Sequence, residues 1–263
     1  MSAAEGIIRI EIDGRPPTMD ALQRLALDHS GHFTAMQVRD ARVRGLDLHL
    51  ARLDEGSREL FGAGLDEGRV RDLARHALGG DVRDASLRVI VFESDTPGEL
   101  AVMVTLRPPG GVSRAPQALH AVEYQRTLPH VKHIGGFGQG HHGRMARRAG
   151  FDDALFTDNT GAVSETSIAN IGLLCGGEVV WPSAPALQGI TMQLVEPRLD
   201  GVGLPTRRRP VHLSDLPSCS AAFVTNARGI APVGRIDEVN LAVDDDLMAA
   251  LDRVYAEVPW DAF

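Results

Sequence analysis

The segment Arg107–Gln117 crowds Pro108, Pro109, Gly110, Gly111 and Pro116 into one short run. Proline fixes φ and lacks an amide donor, while glycine loses the most backbone entropy on ordering. No helix or central strand tolerates such a run, so it divides the chain. The division predicts an N-terminal lobe over 1–107, a linker over 108–117 and a C-terminal lobe over 118–263.

Before the divide, Ile7–Ile12 alternates as a strand and Asp13-Gly14 signals a turn. His32–Val38 and Val43–Leu48 read as two strands joined by a polar turn. A helix is expected from about His49 to Phe61, with Leu50, Leu53 and Leu60 on its apolar side. A second is expected from Asp66, an N-cap residue, to Leu78 before Gly79-Gly80. Ser86–Phe92 and Leu100–Leu106 flank Thr96-Pro97-Gly98 as a hairpin. Beyond the divide, short strands alternate with turns at Leu119–Tyr124, Ala154–Thr157, Ala169–Leu174, Val179–Trp181 and Ala221–Thr225. Helices are expected at Thr191–Leu199, disturbed by Pro197, and at about Asp244–Val258. The mixture predicts an α+β protein of two lobes.

A net charge of −8 argues against nucleic acid or an anionic membrane as the main partner. Met1–Ile12 is too polar for a signal peptide, and no stretch approaches a membrane span. Cys175 and Cys219 are the only cysteines, expected to be reduced and buried in a cytoplasmic protein. His141 and His142 are neighbours that would point about 100° apart on a helix. They have no acidic or cysteine partner at ligand spacing, so no metal centre is expected.

The 27 basic residues include one lysine, Lys132. A neutral amine can attack a carbonyl and form a Schiff base, whereas arginine stays protonated. Lys132 lies within Leu128–Phe137 and is followed by glycines at 135, 136, 138, 140 and 143. Each glycine lowers helix stability by about 1 kcal/mol relative to alanine. Backbone access to a ligand and an exposed loop would each account for them.

Five motifs then fall in one order: Gly31-His32-Phe33-Thr34 with His49-x-x-Arg52, Lys132, Glu165-x-x-x-x-Asn170, Gly189-Ile190-Thr191 and Thr225-Asn226. In this the chain resembles, over nearly its whole length, the fold-type IV pyridoxal-phosphate (PLP) enzymes. That family includes branched-chain, D-amino-acid and (R)-amine aminotransferases and 4-amino-4-deoxychorismate lyases. The resemblance implies a small N-terminal α/β lobe, a larger barrel-like C-terminal lobe and a homodimer. It implies that Lys132 holds pyridoxal 5′-phosphate as a Schiff base and then moves the proton between Cα and C4′. Glu165 would face the pyridine nitrogen and keep it protonated. Arg52 would bind the phosphate through a charge-assisted fork. Ile190 and Thr191 would offer helix-start donors to the same phosphate, with Thr225 and Asn226 completing the cup. Asn170 would stabilise turns and strands.

The chain departs from the family at several places. Phe137 stands where branched-chain aminotransferases carry a tyrosine, Gly172 where an aromatic commonly follows Asn-Ile, and Met192 where a basic residue follows Gly-Ile-Thr. Glu93–Glu99 is a short loop without the Arg-x-His carboxylate clamp of D-amino-acid aminotransferases. Arg39, Arg42, Arg44 and Arg126 are each chemically able to bind a substrate carboxylate. The expected activity is an aminotransferase acting on an amino acid or chiral amine and a keto acid or ketone. The alternatives are an aminodeoxychorismate lyase that releases pyruvate and a PLP-binding paralogue without turnover.

Overall fold

The computed structural model describes residues 6–28, 30–94, 96 and 98–263. The first residues of the Met1–Ile12 stretch, and Asp95 and Pro97 of the short loop, lie outside them. The chain forms two compact units, one of Met1–Gly110, Val131–Gly135 and Pro259–Phe263, the other of Gly111–His130 and Gly136–Val258.

In the first unit, β1 (Arg9–Ile12) and α1 (Met19–Asp28) lead to β2 (His32–Val38) and β3 (Arg42–Arg44). Then come α2 (Leu46–Phe61), α3 (Glu67–Leu78), β4 (Ala85–Glu93) and β5 (Leu100–Arg107). The expected hairpin is present as β4 and β5, and the antiparallel sheet runs β1-β5-β4-β2. Strict alternation of buried and half-buried residues along β2 reflects the period-two side-chain geometry of a strand. One sheet face packs Val38, Leu87, Val89, Val102 and Val104 with Leu50 and Leu53 of α2 and Val70 and Ala74 of α3. The opposite face carries Ile90, Phe92, Ala101 and Met103, joined by Phe33 and Ile134.

Asp66 caps α3 as its sequence suggests, its carboxylate accepting the Arg69 amide at 3.2 Å. The second expected strand, Val43–Leu48, is cut short. Gly45 turns left-handed at φ 68°, α2 begins at Leu46, and β3 pairs with the C-terminal strand Trp260–Ala262. Helix α1 was not anticipated. None of its residues is fully buried, and Leu22 and Leu25 pack half-buried against the cluster of Ile90, Phe92, Ala101 and Met103.

The second unit contains β6 (Gln117–Glu123), α4 (Phe137–Arg148), β7 (Asp153–Thr157), β8 (Val163–Thr166), β9 (Asn170–Cys175) and β10 (Glu178–Pro182). It continues with α5 (Ile190–Val195), β11 (Thr206–Arg209), β12 (Cys219–Asn226), β13 (Gly229–Ile236), β14 (Val239–Asn240) and α6 (Asp245–Ala256). Pairing runs β9-β12-β13-β6-β7-β8 and returns to β9 through Glu165 opposite Asn170, which closes a barrel-like sheet. Strands β10 and β11 extend from β9. Helix α5 gives way at Val195 to a short 3-10 turn over Glu196–Arg198 that contains Pro197.

Three of the glycines after Lys132, at 138, 140 and 143, lie in α4 rather than in a loop. Two of its glycines are imposed by close approach. A Cβ at Gly138 would stand 2.2 Å from Tyr124 Oη, and one at Gly143 would stand 2.8 Å from Ser167 Oγ. The cysteines are buried but not reduced: Cys175 and Cys219 oppose each other on β9 and β12 and form a disulfide. Nothing in a separation of 44 residues signals that strand register. Among the described residues, no helix is long and apolar enough to cross a membrane.

Candidate active site

In the first unit, the backbone of Lys132 is tied to the start of β2. Phe33 N–H donates to Lys132 O at 2.8 Å, and Ile134 N–H donates to Gly31 O at 2.8 Å. The Lys132 ammonium lies 5.0 Å from the Phe33 ring centroid, and the Arg88 guanidinium lies 4.5 Å from it. Burial and Arg107 both lower the pKa of Arg88. One residue along β2, buried Thr34 accepts a hydrogen bond from Arg52 Nη2. The same hydroxyl contacts His49 Nδ1 at 2.6 Å. Arg52 and His49 project from successive turns of α2, so the His-x-x-Arg spacing brings both to one strand. Burial lowers the Arg52 pKa to about 10, which leaves it charged at neutral pH. Burial, then Arg52, then Lys132 hold His49 well below the ordinary imidazole range. His32 is pushed down to about 4 by burial and Arg52. Its Nε2 meets Ser57 Oγ at 3.0 Å.

In the second unit, Glu165 is buried on β8 and ion-paired with Arg126 at 3.1 Å. Arg126 also donates to Pro129 O at 3.0 Å. Asn170 does what was expected of it: Nδ2 donates to Leu187 O at 2.7 Å, and Oδ1 accepts the Gly189 amide at 3.1 Å. These bonds fix the segment that delivers Ile190 and Thr191 to the start of α5. The Thr191 hydroxyl has one proton and gives it to Asn226 O at 2.7 Å. Asn226 Oδ1 accepts the Arg228 amide at 2.8 Å, which ties that oxygen to its own turn. Thr225 lies opposite Asn170 on β12.

The structure thus gathers Lys132 with Arg52 in one unit, and Glu165, Ile190, Thr191, Thr225 and Asn226 in the other. Of the four arginines proposed for a substrate carboxylate, three are engaged. Arg39 donates to Gln37, Val38 O and Gly110 O, Arg44 stacks on Trp260, and Arg126 pairs with Glu165. Arg88 was not singled out, because its place over Phe33 depends on the pairing of β2 with β4.

Two of the departures have structural reasons. A Cβ at Gly172 would stand 2.4 Å from Phe223 Cζ, so the Phe223 ring already occupies that space. Met192 is buried with Trp181 and Phe223, where a basic side chain would be desolvated. Phe137 is 77% exposed at the start of α4, with its ring against His141.

A model of the class IV amino-transferases matches residues 31–236, and the chain belongs to that family. A probable branched-chain-amino-acid aminotransferase of Synechocystis sp. (strain ATCC 27184 / PCC 6803 / Kazusa) is 30% identical over 116 residues, 43% of this chain and 38% of that protein. The match therefore spans well under half of the relative's length. The crystal structure of 4-amino-4-deoxychorismate lyase from Pseudomonas aeruginosa is similar at TM-score 0.78 and 26% identity, covering 95% of this chain and 99% of that one. An aminotransferase from Brucella abortus, solved with PLP bound, is similar at TM-score 0.78 and 23% identity, covering 89% and 90%. The fold is that of the fold-type IV PLP enzymes.

The family's cofactor is pyridoxal 5′-phosphate. The residues present fit it. Among the described residues, buried Arg52 Nε of the first unit has no hydrogen-bond partner, and neither has buried Thr225 Oγ1 of the second. Buried polar atoms are rarely left unsatisfied, and each unit thus holds a buried donor of the kind that a phosphate oxygen satisfies.

Proposed function

We propose that this protein is a PLP-dependent aminotransferase, working as a cytoplasmic homodimer, that moves an amino group between an amino acid or chiral amine and a keto acid or ketone. The observation that carries this reading is the clamp of the only lysine onto β2, one residue from the threonine that holds Arg52. In this reading the same strand supports a reactive amine and an anion-binding guanidinium.

When bound, PLP supplies an electron sink for the bonds at the substrate carbon that bears nitrogen. In this reading Lys132 Nζ holds the cofactor and then carries a proton between the substrate Cα and the cofactor C4′. Glu165 would face the pyridine nitrogen and hold its proton, with Arg126 fixing the carboxylate. In the first unit Arg52 would bind the phosphate; in the second, Thr225 would offer it a donor, as would the first-turn amides of Ile190 and Thr191, which lack intrahelical acceptors by position. Asn226 would offer the phosphate a donor; the bonds that engage it use only its two oxygens, Oδ1 and the backbone carbonyl.

A second reading is favoured by the whole-length likeness to the Pseudomonas lyase: release of pyruvate from aminodeoxychorismate. A donor panel separates the two. Holoenzyme is mixed with both enantiomers of amino acids and simple chiral amines, and the cofactor spectrum is followed. Conversion to the amine form of the cofactor, reversed by a keto acid, is expected for transamination. Pyruvate formation from aminodeoxychorismate without such exchange would replace it with the lyase reading.

A further inference from the structure

A buried guanidinium usually finds a carboxylate. Among the described residues Arg52 has none; its Nη2 rests on the Thr34 hydroxyl, which in turn touches His49. Thr34 and His49 are both buried in the first unit. We propose that Thr34 and His49 form a neutral rest for Arg52: they fix the guanidinium through hydrogen bonds and add no negative charge, so its full positive charge stays available to the cofactor phosphate. The proposal rests on the reading that Arg52 binds that phosphate.

One arrangement that the hydrogen bonds permit, and the one proposed, has His49 neutral and its Nδ1 accepting. A threonine hydroxyl has one proton and two lone pairs, and arginine can only donate. Arg52 Nη2 therefore takes a lone pair of Thr34 Oγ1, and the hydroxyl proton is free to point at His49 Nδ1, 2.6 Å away. Nδ1 then carries no proton, and the ring proton sits on Nε2. Two nearby cations, Arg52 and Lys132, and burial all oppose a charged ring. An aspartate at 49 could accept the same hydroxyl proton, but it would neutralise Arg52 from behind and weaken its pull on an anion.

The chemistry predicts a difference between two nearly isosteric variants. His49→Asn keeps a neutral acceptor and His49→Asp makes it negative. Apo-protein is titrated with PLP and, separately, with pyridoxal, which lacks the phosphate. His49→Asp is expected to bind PLP about tenfold or more weaker than His49→Asn, the scale of one charge-assisted contact. The two should bind pyridoxal alike. Thr34→Val should lower the ratio of PLP to pyridoxal affinity, and Thr34→Ser should restore it. Arg52→Gln is the control. If it leaves that ratio unchanged, the phosphate reading of Arg52 fails. If it collapses the ratio while His49→Asp matches His49→Asn and Thr34→Val matches wild type, the neutral rest alone is overturned. Should His49→Asp not fold, the threonine pair decides. Nitrogen-15 spectra of the wild-type imidazole give an independent reading: an unprotonated Nδ1 is expected, and a doubly protonated ring at neutral pH would contradict the proposal.

Discussion

Arg126 and Glu165 form a buried ion pair, 3.1 Å apart, with side chains 4% and 8% exposed. Removing one partner takes this pairing from a charge held out of water. Arg126→Met is expected to destabilise the protein by about 3–5 kcal/mol, read by denaturant unfolding. The double variant Arg126→Met, Glu165→Leu should recover much of that loss. A cost for the single variant near that of an exposed pair, about 1 kcal/mol or less, would show that water reaches the two groups.

His32 makes stability depend on pH in a defined direction. The unfolded imidazole takes up a proton near 6.5, while the buried one resists it until about 4. Between those values the unfolded state binds more protons, so stability falls as pH falls. The loss attributable to His32 is about 3 kcal/mol across that window, and above it the residue contributes no slope. His32→Asn should flatten the curve between these limits; an unchanged slope would contradict the assignment. His49, shifted the same way, adds to the slope in both proteins.

The two glycines early in α4 should respond oppositely to alanine. At Gly138 the new methyl meets Tyr124 Oη at 2.2 Å and Cζ at 2.5 Å. Overpacking of this kind costs about 1–3 kcal/mol. At Gly140 the nearest atom is the tip of Arg144, 3.2 Å away and able to move. There the gain in helix propensity, up to about 1 kcal/mol, should dominate. Thermal unfolding of the two variants checks the sign of each.

Gly172→Ala should be destabilising unless Phe223 is made smaller. The added Cβ would stand within 3.0 Å of three atoms of a ring that is fully buried and packed edge-on to Trp181. The cost expected is about 1–3 kcal/mol, with partial rescue by Phe223→Leu. Equal stability of Gly172→Ala and wild type would show that the ring can shift freely.

Local signals in the chain carried much of this. The Asp66 cap, the β4–β5 hairpin, the Pro197 break and the His-x-x-Arg spacing all depend on neighbours within a few residues. Asn170 was legible because its motif position already implied a structural duty. The features that escaped notice join distant segments. The Cys175–Cys219 bridge and the fit of Phe223 over Gly172 follow from strand register. The Arg126–Glu165 pair spans 39 residues, and the glycines of α4 answer to Tyr124 and Ser167. Strand β13 was hidden by Pro232, which reads as a breaker although it sits within a paired strand.

The central claim is that the lone lysine amine holds the cofactor. Holoenzyme is reduced with borohydride, digested, and mapped by mass spectrometry, beside Lys132→Ala treated identically. The account predicts that the reduced cofactor stays on the peptide containing Lys132 and that the variant carries no covalent label. Label on any other nitrogen, or on the variant, would contradict it.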